Sequence, residues 1–317
     1  MSTRPPVIII GMHRSGTTMV TQLLEALGLF VGKEKEANHE ALFFHKINEW
    51  LLSQSWGHWD HPEAIHELIA NQEIRGLVMD YVGRYLMKSP RTIEFLGWKK
   101  YVRYRTPLNL DIPWGWKSPL NTYTLPLWQD LFPDAKVIHI YRHGVDVASS
   151  LRTRGRQDMR RTRLQDLYYH LTFLHWLRTK PGTFIDSVRC DSLEGGFSLW
   201  EEYLSEARRH VERLQDRALE LRYEDFLSEP LPILKELALF CGLSTNAELL
   251  AKAVELVKSD RAYAFCKKAE LRLFASRVSE RLSALNYIDA CSDVIGEQAP
   301  SEGPLRDVLH YADEVSQ

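Results

Sequence analysis

Residues 8–20 read IIIGMHRSGTTMV. An apolar run ends at Gly11, a basic residue and a Ser-Gly-Thr-Thr run follow, and the chain then turns apolar again. The pattern predicts a buried strand, a tight loop and the start of a helix. Backbone N–H groups at a helix start point outward and carry roughly half a positive charge, so this loop is a ready anion site. Gly11 and Gly16 permit the turn and a close approach of the ligand. Ser15, Thr17 and Thr18 add hydroxyls, and Arg14 adds a planar cation suited to phosphate or sulfate oxygens. A nucleotide-triphosphate loop places Gly-Lys-Ser/Thr at this point. Here Thr17 stands where that lysine would be. A plain glycine turn would account for Gly11 and Gly16 alone; the cation and three hydroxyls shift the reading to anion binding.

Working outward, AKVIHIYR (135–142) predicts a second strand that delivers Arg142 to its carboxyl end, and Ser150 follows eight positions later on a helix beginning VDVASSLR. DIPWGWK (111–117) predicts a short strand ending at Lys117, and ALELRYEDF a strand that ends at Tyr223. An aromatic ring at a strand tip can stack on a base or hydrogen-bond to it, although a core tyrosine is the plainer reading. Helices are predicted from TTMVTQLLEALGLF to a stop near Gly28, over EALFFHKINEWLLSQ, through most of 62–105 with a break at Pro90, over TYTLPLWQDLF, around 163–180 and 198–216, and over LPILKELALFCGL and NAELLAKAVELV. Strands alternating with helices predict an α/β fold whose parallel sheet is covered on both faces, with ligands beyond the carboxyl ends of its strands.

Composition bounds the function classes. The chain has 317 residues, 44% apolar and 26% charged, which suits a packed core. A net charge of -2 supplies no global field for nucleic acid or an acidic membrane, so an anion site has to be built locally. No apolar run is long enough for a signal peptide or a bilayer span, and the cytoplasm is the expected compartment. Four scattered cysteines, with no C-x-x-C pair, read as buried reduced thiols. HWDH (58–61) contains ligand residue types, but a single cluster with an aromatic inserted reads as packing, and no metal is expected.

Taken together, HRSGTT, Lys117-Ser118-Pro119, Arg142 with Ser150, and Tyr223-Glu224-Asp225 resemble the sulfotransferases that use 3′-phosphoadenosine 5′-phosphosulfate (PAPS). The order and spacing match from residue 7 to about 242, most closely in the bacterial and tyrosylprotein sulfotransferase-like branches. The resemblance implies one P-loop-like sulfotransferase domain over 1–317, with a mostly helical acceptor-side insertion at about 38–110 and a weakly patterned tail at about 290–317. It implies a donor site of Arg14, Ser15, Gly16, Thr17, Thr18 and Met19 for the 5′-phosphosulfate, Arg142 and Ser150 for the 3′-phosphate, and Tyr223 beside the base. Small-molecule sulfotransferases have Lys and an aromatic where this chain has Arg14 and Met19, and their C-terminal R-K-G segment is replaced here by KSDRAY (258–263).

The implied chemistry is in-line transfer of a sulfuryl group to a hydroxyl, with Arg14 and Lys117 neutralising the leaving phosphate. Glu40, which opens the second helix, is the first choice of base, with His39, His45 and Asp60 as rivals. LRTRGRQDMRRTR (151–163) holds six arginines. A solvated loop is its plain reading, and recognition of an anionic acceptor its sharper one. Two other functions fit the loop: a kinase-like phosphotransferase using ATP, and a non-catalytic nucleotide-binding module.

Overall fold

The computed structural model describes residues 3–171, 185–255, 257 and 262–287. Contacts divide the chain into two compact units, Met1–Phe265 and Cys266–Gln317. In the first, β1 (Val7–Ile10) leads into α1 (Thr17–Ala26) and α2 (Leu42–Ser53). Then come α3 (Ile65–Ala70), α4 (Gln72–Lys88) and α5 (Thr92–Tyr104), the last broken at Gly97. Next are β2 (Gly115–Lys117), α6 (Asn121–Leu131), β3 (Lys136–Tyr141) and α7 (Gly144–Leu171). The unit continues with α8 (Leu193–Leu214), β4 (Ala218–Arg222), α9 (Tyr223–Ser228), α10 (Pro230–Cys241) and α11 (Ala247–Val254). The described part of the second unit contains α12 (Ala269–Arg277) and α13 (Ser279–Ala284).

The four strands form one parallel sheet in the order β2-β1-β3-β4, flanked by helices. Every residue of β1 is buried, which is why VIII is continuously apolar and does not alternate. On one face Ile9, Ile138, Ile140 and Leu221 pack with Leu23 and Leu24 of α1 and with Leu234 and Leu237 of α10. Elsewhere in the core the aromatics gather: the Phe44 ring of α2 stacks on Trp116 of β2 at 4.1 Å and meets Trp128 of α6 edge-on at 5.4 Å.

A buried polar cluster fixes α2 and α6 to the sheet. Asn48 Nδ2 donates to Asn121 Oδ1 at 2.7 Å, while Thr124 Oγ1 and Trp128 Nε1 each donate to Asn48 Oδ1 at 2.8 Å. Asn121 Nδ2 in turn donates to the carbonyl of Ile9 at 3.1 Å, and Thr122 Oγ1 accepts from the N–H of Gly11 at 3.1 Å. The helix that follows Glu40 and the loop that follows β1 are thus tied into one framework.

The arginine-rich stretch is not a loop. Arg152 to Arg163 lie within the 28-residue helix α7, which runs on to Leu171. The expected helix at 163–180 is the continuation of this one, and its part from 172 on lies outside the described residues, as do Lys258 to Arg261 of KSDRAY and the tail at 290–317. Cys190 and Cys241 are buried free thiols, whereas Cys266 is disulfide-bonded, which corrects the expectation of thiols throughout. No described helix is long and apolar enough to cross a membrane.

Candidate active site

The loop after β1 reaches the sheet's carboxyl edge with three left-handed residues: Gly11 (φ 134°), Arg14 (φ 71°) and Gly16 (φ 91°). At Gly16 a side chain has no room, because a Cβ there would lie 2.3 Å from the Tyr223 ring. α1 begins at Thr17 with no side-chain cap and no acidic residue in its first turn, so its N–H groups keep their full pull on an anion. Ser15 is fully buried and its Oγ has no hydrogen-bond partner among the described residues.

The sequence-predicted donor residues surround one cavity of about 370 Å³, lined by Arg14, Gly16, Thr17, Thr18 and Met19 on one side and by Arg142, Ser150 and Tyr223 on another. Two separate grips were expected; they meet instead, since Arg14 Nε donates to Ser150 Oγ at 2.8 Å. Arg142 is held by Asp146 at 2.9 Å, and Asp146 also accepts from the N–H groups of Ala264 and Phe265. The Arg142 guanidinium lies 5.0 Å from the centre of the Tyr223 ring. That ring therefore forms a wall, packed between Arg142 and Gly16.

Lys117 and Glu40 lie on the same cavity. Lys117 Nζ donates to Glu40 Oε1 at 3.0 Å and to the carbonyl of Asn38 at 2.8 Å, with the two side chains only 2% and 4% exposed. Glu40 does not open α2 as expected: the helix starts at Leu42, with Ala41 at its cap position. Its carboxylate is taken up by Lys117 and by His45, whose Nδ1 lies 3.0 Å from Glu40 Oε2 without hydrogen-bond alignment. Burial opposes the charge on Glu40, but His45 and Lys117 outweigh it and hold the carboxyl at about 2. His45 sits between Glu40 and Glu49, which overcome its burial and push it up to about 10. Lys117 is lowered, with burial ahead of the opposing pull of Glu40.

Of the rival bases, His39 is paired with Glu25 at 2.5 Å and Asp60 with His58 at 2.5 Å, and neither lines this cavity. Sequence reasoning missed His13 and Asn38 on the cavity wall, where they are joined by Arg154 of the arginine-rich stretch. His13 had a signal, since it adjoins Arg14 in the loop; Asn38 had none beyond nearness to Glu40, and Arg154 had the arginine-rich stretch to which it belongs. The arginines of α7 meet carboxylates: Arg154 faces Asp158 and Asp186, and Arg156 faces Asp191. Among the described residues, no group of three or more His, Cys, Asp or Glu side chains is placed to hold a metal ion.

A family model described as "Sulfotransferase family" matches residues 5–247. No curated protein matches the chain. Among solved structures, the chain is similar to a sulfotransferase from Mycobacterium avium at 16% identity, covering 90% of this chain and 77% of that one with a TM-score of 0.42. It is similar to a sulfotransferase from Alicyclobacillus acidocaldarius at 16% identity, covering 91% and 98% with a TM-score of 0.44. It is also similar to the sulfotransferase domain from the curacin biosynthetic pathway at 17% identity, covering 88% and 99% with a TM-score of 0.45.

Proposed function

We propose a function from one premise: the chain belongs to the sulfotransferase family. We add the donor, the mode of transfer and the kind of acceptor: PAPS gives up its sulfuryl group by in-line displacement to a hydroxyl. The likeness to the tyrosylprotein-like and bacterial enzymes, carried by Arg14 and Lys117, is part of the same proposal.

The residues present fit such a donor. Arg14, Lys117, Arg142 and Arg154 put four cationic side chains on one cavity, beside an uncapped helix start and the buried hydroxyl of Ser15. Arg14, Ser15, Gly16, Thr17, Thr18 and Met19 would hold the 5′ end, Arg142 and Ser150 the 3′-phosphate, and Tyr223 the wall between them. When bound, the donor supplies a sulfuryl group already activated by a phosphate leaving group.

Glu40 takes the hydroxyl proton as the acceptor oxygen bonds to sulfur. Arg14 and Lys117 meet the charge left on the phosphate oxygen when the old sulfur–oxygen bond breaks. The ammonium of Lys117 has three N–H donors, of which Glu40 and Asn38 engage two; the third is left for that oxygen. His45 and, after it, Lys117 hold Glu40 at low basicity in the resting site. As charge grows on the leaving oxygen, Lys117 is drawn to it and its share of that hold relaxes.

The observation that carries this reading is the convergence of Arg14, Lys117, and Arg142 with Ser150, from three separate segments, on one cavity of about 370 Å³ with Glu40 in its wall. Calorimetric titration with 3′-phosphoadenosine 5′-phosphate (PAP), against ATP–Mg²⁺, tests it. PAP is expected to bind at least about 100-fold more tightly, without metal, a gap of about 2.7 kcal/mol. Tighter binding of ATP–Mg²⁺ would replace this reading with the kinase-like one, and PAP binding without release of PAP from PAPS in the presence of any hydroxyl would leave a binding module.

A further inference from the structure

A second cavity, of about 290 Å³, adjoins the first, and His13, Asn38, Glu40 and Arg154 line both. Resting on the donor reading above, we propose that this cavity is the acceptor site and takes a compact polyhydroxylated molecule of monosaccharide or cyclitol type.

Size is the first ground. Ligand pockets generally span about 300–1,000 Å³, and this one sits at the small end, the scale of a compact ring.

Wall chemistry is the second. Beyond Glu40, the cavity is lined by Glu36, Glu49 and Asp186, with Arg154, His45 and His58 among them. Much of this charge is already balanced: Asp186 lies 3.4 Å from Arg154, Glu49 lies 3.4 Å from His45, and Glu40 lies 3.0 Å from His45. A paired carboxylate keeps unused lone pairs, so the walls offer many hydrogen-bond acceptors with little net charge. Neutral hydroxyl groups match that surface. An alkyl chain or bare aromatic acceptor would leave the polar part of this wall without partners. Leu52, Leu120 and Trp59 supply an apolar wall for a ring face.

His13 marks where the reacting hydroxyl sits. Its ring meets Trp59 edge-on at 5.0 Å, and its Nε2 is buried with no hydrogen-bond partner among the described residues. Burial pushes this imidazole down to about 3, so it is neutral and able to pair with a hydroxyl, and it lines both cavities as Glu40 does.

The test compares initial rates of PAP release from PAPS with methyl α-D-glucopyranoside, methyl β-D-galactopyranoside and myo-inositol against 2-naphthol and 1-octanol, using the full chain. At least one polyol should exceed both apolar alcohols in kcat/KM by tenfold or more. For that polyol, Glu36→Gln with Asp186→Asn, both on the exposed rim, should raise acceptor KM three- to tenfold while PAP Kd stays within twofold of wild type, and His13→Leu should raise acceptor KM further. Preference for 2-naphthol or 1-octanol, no polyol turnover by a protein that binds PAP, or unchanged acceptor KM in the rim variant would each overturn the proposal. Failure to bind PAP at all would remove the donor reading and this inference with it.

Discussion

Arg14 Nε donates to Ser150 Oγ at 2.8 Å, joining the loop after β1 to the second turn of α7. The two residues belong to grips assigned to opposite ends of one nucleotide, and their contact makes the grips a single surface. Ser150 thereby orients a cation as well as offering its own hydroxyl. Ser150→Ala is expected to weaken PAP binding about tenfold, the scale of one hydrogen bond to a charged group, about 1.5 kcal/mol. Ser150 lies at a cavity wall, so the melting temperature should barely move. Calorimetry on the variant decides the matter; an unchanged Kd would separate Ser150 from the ligand.

Lys117 and Glu40 form a buried pair, and removing one member strands the other. Lys117→Met should cost about 3 kcal/mol of unfolding free energy, at the lower end for such pairs because His45 still faces Glu40. Adding Glu40→Gln in the same chain removes the uncompensated carboxylate and should recover a third or more of that loss. Urea denaturation of the two single variants and the double variant measures the coupling. Additive losses would mean that the two side chains do not share one energetic unit.

Glu40→Gln also separates binding from chemistry. A base acts on the reacting proton, so kcat should fall by about 10²–10⁴-fold while PAP Kd stays within twofold. A loss confined to PAP affinity would place Glu40 in the donor site alone.

Local pattern made much of the fold legible. VIII is apolar throughout, and KVIHIY carries Val137, Ile138 and Ile140 on both of its faces, a mark of strands covered on both sides; both form parallel strands of the sheet. Two misreadings have physical causes. The arginines of 151–163 looked like a solvated loop, but Arg, Gln and Met are good helix formers, and pairs such as Arg154–Asp158 at i,i+4 suit the helix they occupy. Glu40 looked like a helix-start carboxylate because local capping is visible in sequence. Its partner Lys117, 77 positions away, is not. The same limit hid Trp59, which reaches His13 only once the chain is folded.

Asn48 shows that limit within the core. By position it is one more residue on an amphipathic helix, yet it is fully buried and satisfies Asn121, Thr124 and Trp128 together. Asn48→Leu keeps the branched shape and should still cost about 2–4 kcal/mol, because it leaves the buried Trp128 Nε1 without its acceptor and takes one partner each from Asn121 and Thr124. Since α2 follows directly on Glu40, kcat should drop as well. Urea denaturation alongside steady-state kinetics would show it; a variant as stable as wild type would mean that the cluster adds specificity without stability.

His143 sets a pH dependence whose sign can be worked out. The side chain is 1% exposed and its ring stacks on Phe265 at 4.3 Å. Burial, aided by Arg222 and Arg142, pushes it down to about 3 from the usual 6.5. A folded-state value below the unfolded one means that protons bind the unfolded chain first. Stability from this group is therefore complete above pH 6.5 and falls as the pH drops from 6.5 toward 3, by about 1.4 kcal/mol per unit. His45 has the opposite sign, stabilising below 6.5 and losing its contribution as the pH rises through about 10, but it is common to wild type and variant and cancels. His143→Phe keeps a flat ring against Phe265 and removes the titration. Between pH 7 and pH 5 the variant should lose about 2 kcal/mol less unfolding free energy than wild type, read from urea denaturation at each pH without nucleotide. Parallel pH profiles for the two proteins would show that the folded state tolerates a charged imidazole there, and burial would not be what governs this histidine.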